Sequence, residues 1–149
     1  MTQWTDTPNP FALPATTHSY LARAAQSLQE AITAPDHATR YACAHVSALR
    51  ATAALLAARA RPAPARRGRR QKNAWVLLAE VAPELAEWAA FFSAGADKRA
   101  AAEAGLSRAC TAREADDLVR DADRFLAVVE SSLGLVPHAA TSTRGRGVA

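Results

Sequence analysis

Alanine occupies 39 of the 149 positions, and prolines divide the alanine-rich stretches at Pro35, Pro62, Pro64, Pro83 and Pro137. Alanine is the best helix former, and it buries little apolar area per residue. Strand-type runs of Val, Ile and Thr are missing. A chain of this kind holds together by bringing helices close along small residues, around a few large side chains. Its length suits one domain with its own core. The expectation is an all-α fold: a four- to five-helix up-and-down bundle with antiparallel neighbours.

Residues 1–15 carry Pro8, Pro10 and Pro14 and are expected to be a disordered lead-in. The bundle is expected over 16–134, with a basic loop at 61–72 and a disordered basic tail over 135–149. Thr16 or Thr17 can cap a first helix whose face is Leu21, Ala25, Leu28 and Ile32. Asp36 can cap a second, running to about Ala60, with Tyr41, His45, Ala48, Thr52, Leu55 and Arg59 on one stripe. The third starts near Asn73 and aligns Trp75, Leu78, Ala82, Leu85, Ala89 and Phe92. Pro83 either kinks it or opens a new segment. Asp97 can cap a short helix ending at Gly105. Thr111 and Glu114 stand at capping-box spacing before Ala115, Leu118, Ala122, Phe125, Val129 and Leu133, and Gly134 and Pro137 close this last helix.

The formal charge of +4 is unevenly spread. From Arg59 to Lys72 there are seven of the eighteen Lys/Arg and no acid, whereas Arg113 to Glu130 holds six of the fourteen acids against three arginines. The positive segment would attract phosphate-bearing or acidic partners. Arg61, Arg66, Arg67, Arg69, Arg70 and Lys72 are the candidate nucleic-acid-binding residues, since guanidinium groups grip phosphates bidentately. No aromatic is interleaved with them, so contacts would go to backbone and be salt-sensitive. A solvated linker, an acidic protein partner or an anionic lipid surface are the alternatives. Cys43 and Cys110 lack metal-ligand spacing and read as small buried apolar residues. No secretory signal and no uninterrupted apolar run of membrane length is present, so a cytoplasmic location is expected.

Arg40-x4-His45 is the one pair suited to catalysis. A metal-independent ribonuclease needs a base for the RNA 2′-hydroxyl and a cation for the developing phosphate charge. Residues five apart on one helix point about 140° apart, so one helix does not readily converge both on one phosphate, whereas two helices across a dimer axis can. The structural alternative is a hydrogen-bonded, half-buried His45 near Tyr41 and Leu49, with Arg40 a surface charge. His18, His37 and His138 are scattered. Asp116, Asp117, Asp121 and Asp123 alternate with arginines as on a solvated helix face, so neither a metal nor a cofactor is expected. Trp75, Trp88, Phe91 and Phe92 make the third helix apolar enough for a bundle centre or a homodimer interface.

The order Asp36…Arg40-Tyr41…Ala44-His45…Ala48-Leu49-Arg50-Ala51, an arginine-rich loop, then Ala74-Trp75-Val76-Leu77-Leu78…Pro83-Glu84-Leu85…Trp88-Ala89…Phe92 resembles an actinobacterial branch of the HEPN superfamily (higher eukaryotes and prokaryotes nucleotide-binding) over about residues 20–130. The resemblance implies a helical bundle, often dimeric, in a superfamily rich in RNA-cleaving and RNA-binding members. Active members carry Arg-x4–6-His, which Arg40 and His45 match in spacing. Tyr41 stands where a polar residue commonly follows the arginine, and the pair opens the second helix rather than a late one. The functional expectation is therefore an HEPN-like protein that binds RNA or another nucleic acid, with a metal-independent endoribonuclease using Arg40 and His45 as its sharpest form. The alternative is a non-catalytic helical adaptor or dimerisation protein.

Overall fold

The computed structural model describes residues 12–59, 73–106 and 108–140, and their regular structure is helical throughout. The elements are α1 (Ala15–Thr33), α2 (His37–Arg59), α3 (Ala74–Val81), a 3-10 turn (Pro83–Leu85), α4 (Ala86–Ala94), α5 (Ala96–Glu103) and α6 (Ala112–Ser132). The all-α expectation is met. Helix α2 is central: it packs against α1, α3, α5 and α6, and α6 also meets α1.

Most helix ends follow their local chemistry. Asp36 accepts a hydrogen bond from the Thr39 amide at 3.0 Å and so caps α2. Both bonds of the Thr111–Glu114 capping box are made, at 3.0 and 3.1 Å. Gly105 and Gly134 take positive φ (80° and 77°) just beyond α5 and α6. After α6, Leu135 N–H donates to Glu130 O at 2.9 Å and Gly134 N–H to Ser131 O at 3.0 Å, a Schellman closure. Pro83 divides the expected third helix into two. It has no N–H to donate, and its ring pushes Ala82 out of helical geometry to φ −131° and ψ 76°. One expectation fails at the start of α1. Pro14 precedes the helix and no side chain caps it. Thr17 is instead buried, its hydroxyl donating to Ala54 O on α2 at 3.0 Å.

The core has two textures. Along the α1–α2 seam the buried residues are small: Ala24, Ser27 and Ala31 on α1, with Ala44, Ser47, Ala48 and Ala51 on α2. The helices come close enough for Ser47 Oγ to donate to Ala24 O at 2.7 Å, which satisfies a buried hydroxyl inside an alanine seam. Ala24 and Ala31 take the inward positions in α1, whereas Ala25 of the expected face is exposed. On the other side of α2 the core is aromatic. Phe92 contacts Trp75, Trp88, Phe91 and Phe125 at ring-centroid distances of 5.1–6.1 Å with His45 included. Trp75, Leu78, Ala82, Leu85, Ala89 and Phe92 are all buried, as their spacing predicts. Helix α2 is also the one described helix long and apolar enough to cross a membrane, at mean hydropathy 1.2, but it is surrounded by four other helices.

Candidate functional site

Arg40 and His45 engage different parts of the bundle. Arg40 lies near the start of α2, with Nη1 on Asp116 Oδ1 of α6 at 2.5 Å and Nη2 donating to Ala34 O at the end of α1 at 3.1 Å. Its guanidinium ties together α1, α2 and α6. His45 sits one turn further along and faces α4, donating from Nε2 to Phe92 O at 2.7 Å. Its ring meets Trp75 and Phe92 edge-on, with centroids at 5.6 and 6.1 Å. This agrees with the divergence that five residues of helix impose.

His45 is 0% exposed, deeper than the half-buried position its sequence context suggests. With Nε2–H donated to Phe92 O, Nδ1 is the unprotonated nitrogen, and it is buried without a partner. Burial pushes the proton affinity of the imidazole below its ordinary value, and nearby Arg99 adds to this, against the opposing bond to Phe92 O and the Glu103 charge. A base must reach the proton it takes. The Nδ1 lone pair is sealed inside the protomer in this arrangement.

The tight fit around His45 explains one glycine. Gly95, between α4 and α5, has room for no side chain: a Cβ there would stand 2.6 Å from Tyr41 Oη and 3.4 Å from His45 Cδ2. Tyr41 is itself buried, which limits how far its ring can yield. Nothing in the local sequence signals this need, because it arises from α2 crossing the α4–α5 corner.

Arg61, Arg66, Arg67, Arg69, Arg70 and Lys72 lie outside the described residues. The residues on either side of that segment are well fixed. At the end of α2, Arg59 donates to Glu84 Oε1 at 2.9 Å and to Ser132 O at 2.8 Å, bridging the 3-10 turn and the end of α6. At the start of α3, Asn73 Oδ1 accepts from the Val76 amide at 2.9 Å. Arg59 is thereby engaged within the protomer, and the segment's remaining six cations carry its positive charge.

The four aromatics proposed for an interface separate into two pairs. Trp75 (6% exposed) and Phe92 (0%) belong to the core of this chain. A wide apolar stripe on α3 and α4 faces inward because α2 and Phe125 fill it. Phe91 is 46% exposed and touches Trp88, which is only partly buried, so these two do reach the surface.

A further cluster escapes sequence reasoning. His138 is held by Asp123 (Nε2–Oδ1 2.6 Å) and by Glu130 through Nδ1. Asp123 is buried rather than solvated. Residues 135–140, expected within a disordered tail, are therefore folded back on α6. The only hint in the sequence is the seven-residue spacing of Asp123 and Glu130, which places both on one helix face. The two cysteines are free, and among the described residues no group of His, Cys, Asp or Glu is arranged to hold a metal.

Fold and site together define an all-α bundle of HEPN type, with its Arg-x4-His pair built into the protomer. The family model described as SAV_6107-like HEPN matches residues 31–130, and the chain belongs to that family. No curated protein and no solved structure matches it.

Proposed function

We propose that this HEPN-type domain binds RNA or another nucleic acid along the phosphate backbone, without cutting it, through Arg61, Arg66, Arg67, Arg69, Arg70 and Lys72. The observation that carries the reading is a thirteen-residue segment, 60–72, with six cations and no acid. Its flanks are anchored at Arg59 and Asn73. Having no aromatic, the segment offers charge without base stacking, so it would discriminate poorly between sequences. Membership of a superfamily often concerned with nucleic acid supports the reading, as does the sealed imidazole of His45. Two free cysteines fit a reducing cytoplasm.

Fluorescence anisotropy with a labelled single-stranded RNA tests the binding, and a denaturing gel of the same RNA after incubation in EDTA tests the chemistry. The expected result is saturable binding and full-length RNA. Products with 2′,3′-cyclic phosphate ends that disappear in a His45→Ala protein would restore the nuclease reading. Preference for an acidic polypeptide over RNA would move the function to a protein partner.

A second reading, homodimerisation, is favoured by the Phe91–Trp88 surface. Ala86, Ala90, Phe91 and Ala94 are all exposed on one side of α4, a mostly apolar face that also holds the exposed Glu87. Sedimentation velocity on the wild type should then show a dimer, and Phe91→Glu should convert it to a folded monomer. A wild-type monomer at tens of micromolar would remove this reading.

A further inference from the structure

Beyond α6 the chain turns at Gly134 and returns along the same helix, so that His138 lies against Glu130 in the last turn and Asp123 about two and a half turns before the helix end. The returning segment has little apolar anchorage. Val136 is 90% exposed, Pro137, Ala139 and Ala140 are also exposed, and only Leu135 and His138 are partly buried. Its polar fastening is more complete. The His138 backbone N–H donates to Glu130 Oε1 at 3.3 Å, Nδ1 meets the same carboxylate, and Nε2 meets Asp123 Oδ1 at 2.6 Å. Two ring nitrogens each facing a carboxylate require both to carry protons, which is the imidazolium form.

We propose that residues 135–140 form a strap on α6, closed while His138 is cationic between Asp123 and Glu130 and released when that charge is lost. The strap leads into residues 141–149, which carry Arg144 and Arg146 and no acid. Release would uncover the α6 surface around Asp123, otherwise nearly closed to solvent.

The charges facing the ring are Asp123 and Glu130, both on α6. No charged group of α1 or α2, the helices packed on α6, acts on it comparably. Asp123 has a further interaction of its own. Partial burial lowers the ring's proton affinity, but the two carboxylates outweigh burial and raise it above the ordinary 6.5. A histidine raised on folding stabilises the closed form fully below its unfolded value, and that contribution is lost as pH rises through the folded value. The strap is therefore closed below about pH 6.5 and opens as pH rises through the raised value of the folded ring.

Nitrogen-15 relaxation on the full chain tests this, with the His138 ring titration followed in the same samples. The expected heteronuclear NOEs of residues 135–140 match those of α6 at about pH 6 and fall to free-end values once His138 has lost its proton. His138→Ala and His138→Gln should give free-end values at every pH while α6 stays rigid. Asp123→Asn should lower the ring's midpoint. The proposal is overturned if the strap stays rigid after the ring has titrated, if it is already mobile at about pH 6, or if either His138 variant leaves it as ordered as in the wild type.

Discussion

His45→Ala is expected to destabilise the protein by about 2–4 kcal/mol, through a cavity beside Trp75 and Phe92 and the loss of the bond to the Phe92 carbonyl, which keeps the Gly95 N–H as a donor. For a chain of this length that corresponds to a fall in melting temperature of roughly 10 °C. The effect follows from full burial, not from exposure to a substrate. It carries a pH signature as well. Folding holds His45 below its ordinary value of 6.5, so the unfolded chain binds protons more readily than the folded one. Stability from the neutral ring is present above 6.5 and is lost as pH falls through the folded value. Urea unfolding at neutral and mildly acidic pH should show the wild type losing stability on acidification and the His45→Ala protein losing less of it. An alanine variant as stable as the wild type would mean that the Phe92 bond and the aromatic packing contribute nothing. His45 would then again be open to a chemical role.

Replacing Arg66, Arg67, Arg69 and Arg70 together by glutamine is expected to weaken RNA binding by about two to three orders of magnitude at ~0.1 M salt, from the counterions that four phosphate contacts release on a single strand. The fold should be unaffected, because Arg59 and Asn73 make the structural contacts at the two flanks. The melting temperature should stay within a degree or two while affinity collapses. Unchanged affinity in the variant would remove the segment from the site. A single substitution such as Arg67→Gln should have a small effect, since charge in such a segment is interchangeable.

The bundle was legible in the sequence to the extent that periodicity governs it. The Trp75-to-Phe92 stripe, the Asp36 and Thr111 caps, and the stops at Gly105 and Gly134 all follow from spacing and backbone chemistry within one turn. The misses arise from contacts between elements distant in sequence. Thr17 looked like a cap, but Pro14 starts the helix earlier and the Thr17 hydroxyl satisfies a carbonyl 37 residues away. Asp123 looked solvated because arginines surround it in sequence, yet His138 and the returning strap bury it. Phe92 and Trp75 looked available for a partner because an apolar stripe has the same pattern whether its neighbour is α2 or another chain. The divergence of Arg40 and His45 was readable from the helix period; the depth of His45 was not, since it depends on how the α4–α5 corner meets α2 at Tyr41 and His45.

The central claim is that the basic segment holds phosphates by charge. The most direct test is the affinity of the wild-type protein for a single-stranded RNA across about 50 to 200 mM monovalent salt. Six phosphate contacts predict a log–log slope near −4, a loss of roughly two to three hundredfold over that range. A flat dependence, or no measurable binding at the low-salt end, would contradict the account.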